Sequence, residues 1–398
     1  MPGGLKRLEV QNFRSLANVN LEIGPINVLF GPNGVGKSSL MDTLWFLRDC
    51  AIRGVEQAST YRNHGVGMMW VGAEEPGNIK ISLETDTAIY SVEMGYSSGR
   101  IEAFVGEKLV SKTRKLTLIE RRISSDKADF FHLKMKQMAN FALREPEKLA
   151  LTRYVDFEDG AGEAIEVDQL LHYIHLYKAR EADLFGLKRN GSESSHQTWV
   201  WERGQNLWSV LRNLKDRRGL DERYDTIIGF MKKSFPSDFL DVYVEQTGPN
   251  TVYGSFQEEG LRKLIDASGV SDGHLQMLIN LTCLFSEGQE RPSILMFDEP
   301  EISLHPLALA IFAEAAKLAA EEWNKQIIIA THSPVLMSQF DPTQIFVMQK
   351  QANRSTGLQR VSDMASIQDL LENYALGSLY MAEAIAPQSI SPTPFVEE

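Results

Sequence analysis

The stretch Gly31-Pro32-Asn33-Gly34-Val35-Gly36-Lys37-Ser38 decides the fold. It meets the pattern G-x-x-x-x-G-K-[ST] at every position, in the setting that the pattern needs. Before it, Ile26-Asn27-Val28-Leu29-Phe30 is a mostly apolar run of the kind buried within a sheet. After it, Leu40, Met41, Leu44 and Leu47 recur at helical spacing. Glycines let the backbone curl until successive N–H groups point at phosphate oxygens, and the helix start adds the positive end of its dipole. Gly31, Asn33, Gly34, Gly36, Lys37, Ser38 and Ser39 are therefore the candidate ATP-binding residues. Lys37 reaches for the β- and γ-phosphates, and the Ser38 hydroxyl for Mg²⁺.

Such a loop needs a carboxylate for the metal ion and a group that orients the attacking water. Ser293-Ile294-Leu295-Met296-Phe297-Asp298-Glu299-Pro300 supplies both, as a buried strand ending in two acids. The carboxyl edge of a parallel sheet faces the nucleotide, so Asp298 is assigned to Mg²⁺, mostly through water, and Glu299 to the general base. Two acids that merely cap a strand are the plain alternative, and the loop upstream outweighs it. Gln326-Ile327-Ile328-Ile329-Ala330-Thr331-His332-Ser333-Pro334 is a second strand, running into a histidine at the same edge. That position favours a γ-phosphate contact for His332. Ser271, in Val270-Ser271-Asp272-Gly273, precedes an apolar helix. It reads as an N-cap, and the same helix start is a spare anion site.

Outward from these motifs the chain has an α/β order. Strands at 294–297, 326–330 and 345–348 alternate with helices, and the helix at 307–323 makes a crossover between parallel strands. Residues 5–13 and 19–23 alternate as strands, and 78–110 read as short strands. Residues 112–235 read as helices, clearest at 167–184 and 206–214, before strands return at 239–244 and 251–256. The expected division is a head of 1–105 and 245–380, a helical insertion at 106–244, and a flexible tail at 381–398 holding Pro387, Pro392 and Pro394.

Composition bounds the function. With 398 residues, the chain has room for one large domain with an insertion, or for two domains. Its 41 basic and 53 acidic residues give a net charge of −12, which argues against binding nucleic acid with the whole surface. Between Lys108 and Lys136, however, nine basic residues face three acids: Lys108, Lys112, Arg114, Lys115, Arg121, Arg122, Lys127, Lys134 and Lys136. Arg212, Lys215, Arg217 and Arg218 form a second cluster. Charge runs are usually solvated faces; the alternative is a track for a DNA backbone, with Phe130, Phe131, Trp199 and Trp201 near enough in sequence to stack on bases. Cys50 and Cys283 share no metal spacing and imply no disulfide framework, which fits a reducing cytoplasm. No apolar run is long enough to span a membrane, and no signal core precedes the first strand. Sustained heptads are absent, which excludes a long-armed coiled-coil protein.

Taken in order, the motifs resemble one family. The set comprises Asn12-Phe13-Arg14-Ser15-Leu16, the phosphate loop, Ser271-Asp272-Gly273, Asp298-Glu299-Pro300-Glu301 with Leu304-His305-Pro306, and Thr331-His332-Ser333-Pro334. It is similar to the RecF-like and OLD-like branch of ABC-type ATPases, which is related to SMC heads. The resemblance implies a mixed-sheet ATPase head with an inserted lid, and a head-to-head homodimer sandwiching two ATP molecules. It implies that Ser271, Asp272 and Gly273 form a signature contacting ATP on the opposite protomer, that His332 is the switch histidine, and that Arg14 lies near the nucleotide. His305 stands where many such proteins carry an aspartate, and Gln57 is the candidate for the Q-loop glutamine. The acids after His332 (Asp341, Asp363 and Asp369) suggest no metal cluster, so no nuclease domain is expected and any cutting would belong to a partner. The expected role is a regulatory or scaffold ATPase of bacterial antiviral defence that controls an effector protein such as a nuclease. A RecF-like ATPase of DNA repair is the alternative, and a transporter subunit is disfavoured by the Ser-Asp-Gly signature and the large insertion.

Overall fold

The computed structural model describes residues 4–157, 161–290 and 292–364; the expected tail at 381–398 and Asp369 lie outside them. A six-stranded sheet runs through the middle, ordered Ile174–Lys178, Ser293–Asp298, Lys325–Thr331, Ile26–Phe30, Ile345–Lys350 and Thr356–Arg360. The first five strands are parallel and the last turns back antiparallel. Ile26–Phe30 and Lys325–Thr331 are buried at every residue, as interior parallel strands covered on both faces must be.

This sheet divides two cores. Val28, Phe30, Ile327 and Ile329 point into one, while Leu29, Ile328 and Ala330 point into the other. The first core is closed by the helices Leu207–Asp216, Arg223–Ser234, Asp272–Phe285 and Pro306–Glu322. The second is closed by the helix Lys37–Arg53 and by a nine-stranded antiparallel sheet. Each fully buried aliphatic side chain in such a core stabilises by about 1.5–3 kcal/mol, so both faces hold the central strands in register. The antiparallel sheet starts from Leu16–Glu22 and Arg7–Phe13, and Phe13 is one of its fully buried residues. A smaller sheet pairs Phe239–Gly248 with Thr251–Glu258.

The expected helical insertion needs correction at two places. Residues 106–142 are strands: Gly106–Ser111, Leu116–Arg121, Lys127–His132 and Gln137–Ala142 extend the antiparallel sheet. Their period-2 signal is carried by few apolar residues, such as Leu109, Ala128 and Phe130, among many charged ones. The predicted helix at 167–184 is split instead into the helix Gly162–His172 and the strand Ile174–Lys178. A five-residue buried strand directly after Leu170 and Leu171 merges with the helical pattern and cannot be separated by periodicity alone. Helices do fill much of 150–234. No helix among the described residues is long and apolar enough to cross a membrane.

Candidate functional site

Four parallel strands bring their carboxyl ends together. Phe30 pairs with Thr331, Asp298 with Ala330, and Lys178 with Asp298. The phosphate loop leaves the first of these ends and enters the helix Lys37–Arg53. Gly36 has φ +112°, and a Cβ on it would lie 2.3 Å from Thr356 Oγ1 and 2.7 Å from Ser15 Oγ. A Cβ on Gly31 would meet the Met348 carbonyl at 2.4 Å. Both positions are thus closed to any side chain. The loop is clamped from behind, since Thr356 Oγ1 donates to Val35 O at 2.8 Å and the Thr356 N–H to Ser15 O at 2.8 Å. Nothing in the sequence pattern marks Thr356. Lys37 is buried and donates from Nζ to Gly31 O at 2.7 Å and Pro32 O at 3.0 Å. Burial lowers its pKa, with Asp298, Glu299 and Glu301 pulling the other way.

The acids stand opposite. Ser38 hydrogen-bonds the Asp298 carboxylate, so helix start and strand end present two hard oxygen donors, a set that fits Mg²⁺. Burial, with the charge of Glu299, raises the Asp298 pKa against the pull of Ser38, Lys178 and Lys37. Glu299 sits at φ +54°, an uncommon left-handed conformation for a residue other than glycine, and its N–H donates to Ala330 O at 2.8 Å. Its Oε2 accepts from Arg180 Nε, and its Oε1 lies 3.4 Å from His332 Nδ1. Burial pushes the Glu299 carboxyl up, but Arg180, His332 and Lys37 together hold it below its ordinary value. Glu301 Oε1 accepts from the Thr331 hydroxyl at 2.6 Å and the His332 N–H at 3.0 Å. Lys37, Ser38, Asp298, Glu299 and His332 therefore converge, as their spacing predicts.

Other residues stand apart. Arg14 has φ +52° and bonds Asp42 at 2.7 Å, one turn past Ser38. Together with Trp45, Arg62, Lys178 and Arg203, these two line a cavity of about 430 Å³ along that helix. Ser271 caps the helix Asp272–Phe285 and lies 2.6 Å from His274 Nδ1, Asp272 takes Lys188 Nζ at 2.5 Å, and a Cβ on Gly273 would touch Ser303 O at 2.7 Å. None of these contacts reaches the phosphate loop. His305 caps the helix Pro306–Glu322 by accepting from the Leu307 N–H at 3.2 Å. Gln57 is exposed on the short helix Val55–Thr60, and the strand end beside Asp298 carries Lys178 instead. Reading 167–184 as helix is what hid Lys178 and Arg180.

The basic stretch is only partly free. Arg121 is buried and pairs with Glu107 at 3.2 Å, Lys112 with Glu84 at 2.7 Å, and Arg114 with Glu163 at 2.9 Å. Lys115, Arg122, Lys127, Lys134 and Lys136 are exposed. Phe130 is buried against Phe141, Tyr154 and Phe157, so it packs rather than stacks on bases. Trp201 donates its indole N–H to Gln197, and Arg218 pairs with Asp225 at 2.6 Å. Among the described residues no group of three or more His, Cys, Asp or Glu is placed to hold a metal ion.

A phosphate loop on one strand, a histidine at the end of its neighbour and paired acids on the strand beyond define a P-loop ATPase head of the ABC type. The family described as "AAA domain, putative AbiEii toxin, Type IV TA system" matches residues 26–338, and the chain belongs to it. An OLD nuclease of Thermus scotoductus is 19% identical over 389 residues, covering 94% of this chain and 68% of its own length. Endonuclease GajA of Bacillus cereus is 22% identical over 363 residues, covering 85% of this chain and 57% of its own. The DNA replication and repair protein RecF of Exiguobacterium is 25% identical over 199 residues, covering 48% of this chain and 46% of its own. The fold is shared with an SMC head solved in complex with the C-terminal winged-helix domain of ScpA, with a TM-score of 0.53 at 13% identity, covering 90% and 98% of the two chains. The chain is thus an ATPase of the OLD and RecF kind.

Proposed function

We propose that two copies of this chain pair head to head on ATP, and that hydrolysis controls a partner effector in a bacterial antiviral system of the cytoplasm. One observation carries the pairing. Lys37, Asp298, Glu299 and His332 gather at one strand edge, whereas among the described residues Ser271 bonds His274 and Asp272 bonds Lys188, away from the loop. A second copy would supply that helix start to the γ-phosphate. In this reading the amides of residues 31–39 and Lys37 hold the phosphates, and Ser38 and Asp298 hold Mg²⁺, which when bound neutralises charge on the phosphates. Glu299 accepts a proton from the attacking water, and His332 contacts the γ-phosphate. The effector half of the proposal is supported by two relatives named as nucleases and by a family described in terms of a toxin.

The test is Glu299→Gln with ATP and Mg²⁺ in size-exclusion chromatography with light scattering, followed by capture of co-purifying proteins from the native host. A dimer with ATP but not ADP, together with a stoichiometric nuclease-like partner, is expected. A chain that stays monomeric with ATP defeats the pairing, and a chain that captures no partner defeats effector control. A DNA-clamping role is the second reading, favoured by the exposed Lys115, Arg122, Lys127, Lys134 and Lys136 on adjoining strands and turns. ATPase rate and gel mobility that ignore duplex and single-stranded DNA at low salt would remove it.

A further inference from the structure

The fourth strand end at the site carries a cation that no motif predicts. Lys178 pairs in register with Asp298, and the turn Ala179–Glu181 follows at once. From that turn Arg180 Nε donates to Glu299 Oε2. The Arg180 side chain is 66% exposed and the Glu299 side chain 13%, so a solvent-facing arginine grips a nearly buried base. Among the described residues Glu299 is the only side chain bonded to this guanidinium. The neighbouring cation on the same strand end, Lys178, pairs with Glu181 at 2.8 Å.

We propose that Arg180 is an exchange residue: it holds Glu299 until ATP is bound, then passes to the γ-phosphate and frees the carboxylate. The proposal rests on the reading of Glu299 as base. A guanidinium suits phosphate oxygens, which it can bind in pairs, and the γ-phosphate carries more charge than one carboxylate. While Arg180 stays on Glu299, that carboxylate is a poor acceptor for the proton of water. Once released, Glu299 takes that proton as the water oxygen bonds to the γ-phosphorus. The bond from phosphorus to the bridging oxygen breaks, its electron pair leaves with ADP, and inorganic phosphate forms. Arg180 meanwhile stabilises charge on the transferring group. Occupancy of the γ-phosphate position and release of the base are in this way one event.

The experiment measures ATP and ADP affinity by calorimetry, with Mg²⁺, in full-length Glu299→Gln and in Arg180→Ala combined with Glu299→Gln. Losing a charge-assisted bond to the γ-phosphate should weaken ATP by about tenfold or more and leave ADP within about twofold. ADP binding also reports that the double variant is folded. Equal loss for both nucleotides, or no loss, overturns the proposal. If Glu299→Gln itself binds neither nucleotide, the phosphate-loop reading fails and the role of Arg180 falls with it. In the single variant Arg180→Ala, kcat should fall, because the guanidinium no longer stabilises charge on the transferring group. A rise in kcat would make Arg180 a brake alone and would also overturn the exchange.

Discussion

The Glu301 carboxylate accepts the backbone N–H of His332 at 3.0 Å, and the same oxygen takes the Thr331 hydroxyl at 2.6 Å. An acid two residues past the base therefore fixes the turn that aims His332. Glu301→Ala would leave the fully buried Thr331 hydroxyl without this acceptor, at a cost of about 1–3 kcal/mol. His332 would lose its anchor as well. The expected outcome is a kcat lowered about 10–100-fold with a smaller change in ATP affinity, read by steady-state kinetics beside a melting curve. Parental turnover in a folded Glu301→Ala chain would remove Glu301 from the site.

Gly36 offers a test of the loop that does not touch its charge. Its φ of +112° disfavours any L side chain, and a Cβ would lie 2.3 Å from Thr356 Oγ1. Gly36→Ala should therefore lose ATP binding, with about 1–3 kcal/mol of strain in the fold. Adding Thr356→Ala removes the nearest clash but not the backbone strain, so the double variant should remain impaired. Full recovery there would mean that crowding alone was at issue.

If the working site is shared between copies, defects on its two halves should complement. Lys37→Ala disables the loop, and Ser271→Arg disables the helix start offered to the partner. Each alone should be inactive. Mixed in equal amounts, half the dimers carry one intact site, so about a quarter of parental ATPase should return. Activity that never exceeds that of the separate variants would place both residues in one chain's site.

The parts legible in the sequence are those where chemistry dictates residue type at fixed spacing. Gly31 to Ser38, Asp298, Glu299 and His332 were marked by pattern, and the strands beneath them by unbroken apolar runs. What escaped detection is long-range. Thr356 clamps a loop 321 residues earlier through Val35 O, and such a partner has no local signature. Arg180 escaped because Ile174–Lys178, a short strand buried at its first four residues, continues the apolar character of the helix before it. The basic stretch misled in the opposite sense, since linear charge says nothing about Arg121 being buried on Glu107.

A buried network beneath the central sheet sets an acid limit on stability. Glu287 is 6% exposed and lies 3.3 Å from His175 Nε2 and 3.7 Å from Lys325 Nζ. Burial pushes its carboxyl up, but His175, Lys325 and Ser293 outweigh that and hold it at about 2, from an ordinary value of 4.5. A carboxyl depressed on folding contributes stability that is fully present above the unfolded pKa and is lost as pH falls towards the folded one. The window therefore runs from about pH 4.5 down to about pH 2, and the contribution is on the order of 3 kcal/mol. Glu287→Gln should be less stable than the parent at pH 7, as removing one partner of a buried ion pair requires. The difference between the two urea midpoints should shrink as pH falls through the window. Many other carboxyls titrate there too, so the difference, not the parent curve alone, is the quantity to follow. A gap that stays constant from pH 7 to pH 3 would show that Glu287 contributes by packing and not by its charge.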